Sequence, residues 1–185
     1  MRADSDELVA LLTPIVKAFV TDNGHIATNA CMQVFGGHGF IKEWGMEQFV
    51  RDNRINMIYE GTNTIQSLDL LGRKVLGNQG ATLKKFGKLV GQLVAEEGVN
   101  EKMAEFINPI AILGEQMTKF TTEIGFKGMQ NPDEVGAAAV DYLRVAGHLV
   151  FGYLFARMAQ VSLRAIANGS TDPFYTAKLQ TARFY

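Results

Sequence analysis

The stretch from Asn131 to Gly169 limits what this chain can fold into more than any other. Asn131-Pro132-Asp133-Glu134 is a full helix start: asparagine caps, proline suits the first turn, and two acids meet the positive end of the helix dipole. Asn168-Gly169 is a stop, because glycine accepts the left-handed conformation of a C-terminal cap. Between these signals, 132–167 is apolar on nearly every side. A helix of that kind has to be surrounded by others, so it is expected at the centre of a helical bundle. Its most apolar window, VAGHLVFGYLFA at 145–156, is closed by Arg144 and Arg157. A bilayer span needs about 20 apolar residues. The window therefore reads as a buried segment, and no transmembrane segment is expected. His148 inside it reads as a satisfied core or edge histidine.

The rest of the chain follows the same period. No alternating pattern suggests a strand, and the spacing predicts helices over 14–35, 46–56, 62–76, 80–97, 109–125, 132–167 and 173–183. Ahead of these, Asp4 and Glu7 stand at capping-box spacing before Leu8, Val9, Leu11 and Leu12. Pro14 either ends that first helix or begins the next, with Thr13 as cap. Ile15, Phe19, Ile26, Ala30 and Val34 line the following helix, in which Asn23-Gly24 marks either a kink or a junction. Trp44, Phe49 and Val50 offer a buried face. Ile65, Leu68, Leu71 and Val75 form another stripe, and Leu83, Phe86, Val90 and Leu93 a third. Ile110, Leu113, Met117, Phe120 and Ile124 step as a heptad seam, entered at Asn108-Pro109. Phe174, Ala177 and Phe184 lie on the last helix. A soft boundary at Gly77 to Gly80 divides the chain into 1–77 and 78–185. The fold class expected is all-α: an up-and-down helical bundle followed by an additional C-terminal helical bundle.

Composition excludes several functions. Hydrophobic residues make up 47% and charged ones 20% of 185 residues, an ordinary globular balance. A net charge of −1 gives no electrostatic basis for nucleic-acid binding. Cys31 is the one cysteine, which rules out an internal disulfide and fits a reducing compartment. It stands in an apolar run and is expected to be a small buried hydrophobe. No signal peptide is visible in Met1 to Glu7. His38 has no partner at metal-ligand spacing, so no metal site is expected.

Two stretches carry candidate chemistry. Arg51 to Gln66 reads RDNRINMIYEGTNTIQ. Arg51, Asp52 and Arg54 suit ion pairs with neighbouring helices. Glu60 is a single carboxylate beside Met57, Ile58 and Tyr59, followed by Gly61, which lets the backbone turn, and Thr62, a helix cap. Partial desolvation would make Glu60 a general base near neutral pH; a solvated acid beside a helix start is the other reading. Gln33 to Phe40 reads QVFGGHGF. Three glycines in four positions form a loop, either a plain turn between helices or one that presents backbone N–H groups to a phosphate.

IYEGTNTIQ preceded by QVFGGHGF resembles the C-terminal domain of the acyl-CoA dehydrogenases, closely over 14–77. The remainder resembles, more loosely, the helical extension of the longer members. The resemblance implies α,β-dehydrogenation of an acyl-CoA thioester on flavin adenine dinucleotide (FAD). It implies that Glu60 is the base and Gly61 lies against the substrate. It places the flavin against Thr62, Asn63 and Thr64, and the flavin of a neighbouring subunit against Gln33, Val34, Phe35, Gly36 and Gly37. Many members carry a longer polar residue where this chain has Thr64. A homo-oligomer is implied, a dimer or tetramer, with electron-transfer flavoprotein as electron acceptor and the cytoplasm or mitochondrial matrix as compartment. The family's N-terminal helical domain and middle β-domain are not recognised in these residues. On their own the 185 residues are expected to bind flavin poorly, turn over no thioester, and serve as a helical oligomerisation domain.

Overall fold

The computed structural model describes residues 2–185, with side chains from Ser5 onward. The described residues contain no strand. Seven α-helices follow in order: α1 (Arg2–Val34), α2 (Met46–Asn56), α3 (Asn63–Leu68), α4 (Ala81–Glu97), α5 (Glu101–Gln130), α6 (Asp133–Ala167) and α7 (Pro173–Phe184). The all-α expectation holds.

Two prolines expected at helix starts lie inside helices instead. α1 runs unbroken through Pro14 and through Asn23-Gly24, with neither a junction nor a new start. Thr13 does not cap; its hydroxyl donates to the Val9 carbonyl at 2.7 Å. Packing outweighs the lost N–H here, since Leu11, Pro14, Ile15 and Ala18 are all buried. The cap expected from Asp4 and Glu7 rests on a side chain, that of Asp4, outside the described residues. α5 likewise runs through Pro109 and starts earlier, where the Asn100 side chain accepts from the Lys102 N–H at 3.2 Å. Met103, Phe106 and Ile107, buried before the proline, carry the helix across it.

The predicted 62–76 helix is present but not uniform. Thr62 caps α3 by accepting from the Ile65 N–H at 3.4 Å. After Leu68 the chain takes a π-helical segment, Asp69–Val75, and a 3-10 turn, Leu76–Asn78. The wider π turns take more residues and rotate the buried face. Leu70, Leu71 and Val75 are therefore buried while Ile65 and Leu68 of the expected stripe stand exposed.

α6 packs against α1, α3, α5 and α7. By length and composition it is one helix long and apolar enough to cross a membrane; here it buries residues from Ala139 to Ser162 against its neighbours. One apolar cluster holds Leu11 and Ile15 of α1, Leu71 and Val75, Leu93 of α4, Met117 of α5, Leu143 of α6 and Leu179 of α7. Residues on both sides of Gly77–Gly80 thus share one core. His148 is an edge histidine: its Nδ1 is 3.0 Å from the Tyr185 hydroxyl and its ring meets Phe19 edge-on. Phe19 lies so close to Gly147 that a Cβ there would stand 2.2 Å from the ring.

Several expected core residues are outside it. Trp44 and Phe49 are 56% and 64% exposed, α2 contains no buried residue, and Phe120 is also exposed. Cys31 is exposed as well, not buried. Their periodicity is real, but the face it marks is left largely uncovered by the described residues. Among the described residues Arg51, Asp52 and Arg54 make no ion pair with another helix; Asp52 accepts from Gln48 within α2 at 2.6 Å, and Arg54 lies 3.8 Å from the Met57 sulfur.

α4 is fastened to α6 by Glu97, which is 6% exposed. Its carboxylate accepts from Gln160 at 2.6 Å, Arg164 at 2.8 Å and Asn100 at 2.8 Å. The Gln160 and Asn100 bonds, with Arg164, hold the Glu97 carboxyl below its ordinary value of 4.5. A carboxylate depressed in the folded state stabilises above its unfolded pKa, and that stability is lost as pH falls through the folded value. Glu97→Gln is expected to lower stability by about 1–2 kcal/mol at neutral pH. The gap to wild type should narrow in melts run at progressively more acid pH below 4.5. A gap independent of pH would assign the loss to packing.

Candidate functional site

α2 ends at Asn56, and the chain makes two tight turns before α3. The Ile58 N–H donates to the Ile55 carbonyl at 2.9 Å, and the Asn63 N–H reaches back to the Met57 carbonyl at 3.2 Å. Between them Glu60 has φ 55° and Gly61 φ 82°. A left-handed glutamate costs about 1–2 kcal/mol, so the surroundings must hold it. Gly61 takes the same conformation freely.

The Gln66 amide donates to the Glu60 carbonyl at 3.0 Å. From α1, the Lys17 ammonium donates to the Gly61 carbonyl at 2.7 Å and to the Asn63 Oδ1 at 2.7 Å. The Asn63 amide nitrogen in turn donates to Asp22 at 2.6 Å, to Thr21 Oγ1 at 3.0 Å and to the Ala18 carbonyl at 3.3 Å. Burial holds the Lys17 ammonium below its usual range, against the opposing pull of Asp22 and Glu60.

The sequence-predicted residues are brought together only in part. Glu60, Gly61, Thr62, Asn63 and Thr64 form one loop and helix start, with the Glu60 side chain exposed. Met57, Ile58 and Tyr59 do not bury it, contrary to the desolvation expected from their presence; Ile58 and Tyr59 are themselves exposed. Thr62 and Thr64 are exposed and Asn63 is turned to α1. Gln33 and Val34 end α1, and Phe35, Gly36 and Gly37 begin the adjoining 3-10 turn, all exposed. His38 packs its ring on Trp44 at 5.2 Å. From Lys17 to Gln33 the helix rises about 24 Å at 1.5 Å per residue, so the two motifs form two separate surfaces. Lys17, Thr21 and Asp22 were not legible as site residues. Their spacing on α1 matches a solvated polar face, and nothing local indicates that Asn63 covers it. Among the described residues no group of His, Cys, Asp and Glu is arranged to hold a metal ion.

The backbone at Gly36 and Gly37 is open to a ligand. Gly36 has φ 61°, and added Cβ atoms at Gly36 and Gly37 would meet nothing within 4 Å. Such open glycine backbone is of the kind that can receive phosphate oxygens.

Comparison with known proteins agrees with this architecture. Residues 1–76 match the model of the acyl-CoA dehydrogenase C-terminal domain, and residues 81–185 match the acetyl-CoA dehydrogenase C-terminal-like model. The chain is 35% identical to 3-methylmercaptopropionyl-CoA dehydrogenase of Ruegeria pomeroyi, across 100% of its own length and 32% of that protein's. It is 29% identical to a butyryl-CoA dehydrogenase of Syntrophomonas wolfei, over 97% of the chain and 30% of the relative. With a broad-specificity linear acyl-CoA dehydrogenase of Mycobacterium tuberculosis it shares 26% identity, over 95% and 30%. This chain belongs to the acyl-CoA dehydrogenase family, matching its C-terminal helical regions. It spans about a third of the length of these relatives.

Proposed function

We propose that this chain contributes the catalytic base and one edge of the cofactor site to an FAD-dependent acyl-CoA dehydrogenase. The observation carrying this reading is the exposed Glu60, held in a left-handed turn by bonds from α1 and Gln66. A strained polar residue presented at a pinned loop belongs to a site more readily than to a scaffold. Glu60 takes the α-proton of the acyl thioester, and Gly61, without a side chain, admits the substrate close to the backbone. Thr62, Asn63 and Thr64 border the flavin. Gln33, Val34, Phe35, Gly36 and Gly37, about 24 Å away along α1, hold the phosphate region of a neighbouring subunit's cofactor. When bound, the flavin accepts the β-hydrogen as hydride. Residues 1–77 form the part that carries the catalytic motif and 78–185 the helical extension. α6 is a core helix and not a membrane span. Electron-transfer flavoprotein is the proposed electron acceptor, and a reducing compartment, the cytoplasm or mitochondrial matrix, the proposed location.

The test is a chimera in which this chain replaces the matching C-terminal third of the Ruegeria enzyme. Yellow colour and acyl-CoA-dependent dye reduction are expected. A folded, flavin-loaded chimera without thioester-dependent reduction would remove the reading.

One observation favours a second role for the 185 residues alone, a non-catalytic oligomerisation domain. Val16, Val20, Ile26, Phe40, Trp44 and Phe49 are all exposed on α1, the following turns and α2. Apolar surface of that extent is stable when paired. Light scattering of the purified chain at micromolar concentration is expected to give a dimer or larger; a monodisperse monomer would contradict it.

A further inference from the structure

We propose that Lys17 is a positioning residue for the base: reaching across from α1, it holds the Glu60–Gly61 turn by bonding the Gly61 carbonyl and the Asn63 side chain. The inference rests on Glu60 being the base. Two successive left-handed residues, at φ 55° and 82°, set the direction of the Glu60 side chain. The turn's local bonds, from Gln66 to the Glu60 carbonyl and from the Asn63 N–H to the Met57 carbonyl, close the loop on itself. They do not locate it relative to the bundle. That is done by α1, through the two 2.7 Å bonds of Lys17 and through Asn63, whose amide reaches Asp22 at 2.6 Å.

An ammonium suits the task. It donates in three directions, so one group satisfies the Gly61 carbonyl and the Asn63 oxygen together. Bonds from a charged donor are shorter and stronger than neutral ones. Asp22 receives the far side of the Asn63 amide, so Lys17, Asn63 and Asp22 form a relay of donor, acceptor and donor, and acceptor. Ala18, next to Lys17, is buried in the core, which fixes the point from which the side chain reaches. The turn is therefore referenced to the most rigid part of the molecule. Displacing a reacting group by about 1 Å lowers rate on the order of 10²-fold.

The experiment compares Lys17→Met, which keeps the length of the stem and removes the donors, with Lys17→Arg, which keeps a charged donor. In the chain itself, amide hydrogen exchange is followed across residues 60–65 together with thermal melting. Lys17→Met is expected to speed exchange at Asn63 and Ile65, whose N–H groups bond the Met57 carbonyl and Thr62 Oγ1, while α5 and α6 stay protected. In the flavin-loaded chimera the same variant should lower kcat about 10–10²-fold with KM within about twofold, the signature of lost orientation as opposed to lost binding. Lys17→Arg should recover part of both effects. If Lys17→Met does not fold, Asp22→Asn weakens the same relay and is read the same way. Unchanged exchange in the turn, or exchange rising equally over all helices, would overturn the proposal even where Glu60→Gln is inactive. Retained turnover in Glu60→Gln would instead remove the base, and with it the role of Lys17.

Discussion

Glu60→Gln in the flavin-loaded chimera is expected to lower turnover about 10²–10⁴-fold, the usual scale for removing a general base. At 1.36 kcal/mol per tenfold this corresponds to about 3–5 kcal/mol of barrier. The substitution isolates the proton transfer. An amide has nearly the shape of the carboxylate but cannot take up a proton at neutral pH. The fold does not depend on the group replaced, because Gln66 bonds the Glu60 carbonyl and Lys17 bonds the Gly61 carbonyl. Flavin affinity and melting temperature should therefore stay close to wild type. Rapid mixing with an acyl thioester, monitored by loss of flavin absorbance, measures the step directly. Near-normal bleaching would move the base to another residue; equal losses of bleaching and of flavin binding would point to a disturbed site.

Gly147→Val is expected to cost about 3 kcal/mol of stability, a fall in melting temperature of about 6–12 °C for a chain of this size. Helix propensity alone predicts the opposite sign, since glycine inside a helix costs about 1 kcal/mol against alanine. Packing decides. α1 crosses α6 at Gly147, where an added Cβ would stand 2.2 Å from Phe19 Cδ2 and 2.5 Å from Phe19 Cγ. The Phe19 ring cannot retreat easily, because His148 and Phe151 pack against it with centroids at 5.0 and 5.1 Å. Phe19→Leu in the same background should restore part of the loss, an interaction energy that two independent sites would not show. A melting temperature within about a degree of wild type would mean that the ring has another place to go.

Much of the fold was legible. The starts at Pro132 and Pro173, the stops at Glu97 and Asn168, and the cap at Thr62 are decided by residues within a turn of one another. Capping, fixed proline φ and glycine freedom are local properties, so the order of residues contains them. The same local rules misread Pro14 and Pro109. There the missing N–H was outweighed by apolar side chains on both sides of each proline, and that burial is supplied by helices distant in sequence. Trp44, Phe49 and Phe120 were misread for the converse reason. An apolar stripe states that a partner is wanted, and whether one is supplied depends on what packs there.

The candidate site divides along the same line. The residues proposed as base and close-approach glycine, and the glycine-rich loop, could be read from YEGT and QVFGG. That Gly61 takes positive φ follows from its lack of a side chain; that Glu60 does so does not. Only the tertiary structure could bring Lys17, Thr21 and Asp22 to Asn63 and Gly61, more than forty residues later in the chain. It also set one motif against the middle of α1 and the other at its C-terminal end, as two surfaces and not a single pocket. Local order selects turns and caps because they are short-range steric and hydrogen-bonding choices. The direction in which Glu60 points is held by bonds between helices, and no window of sequence contains both ends of those bonds.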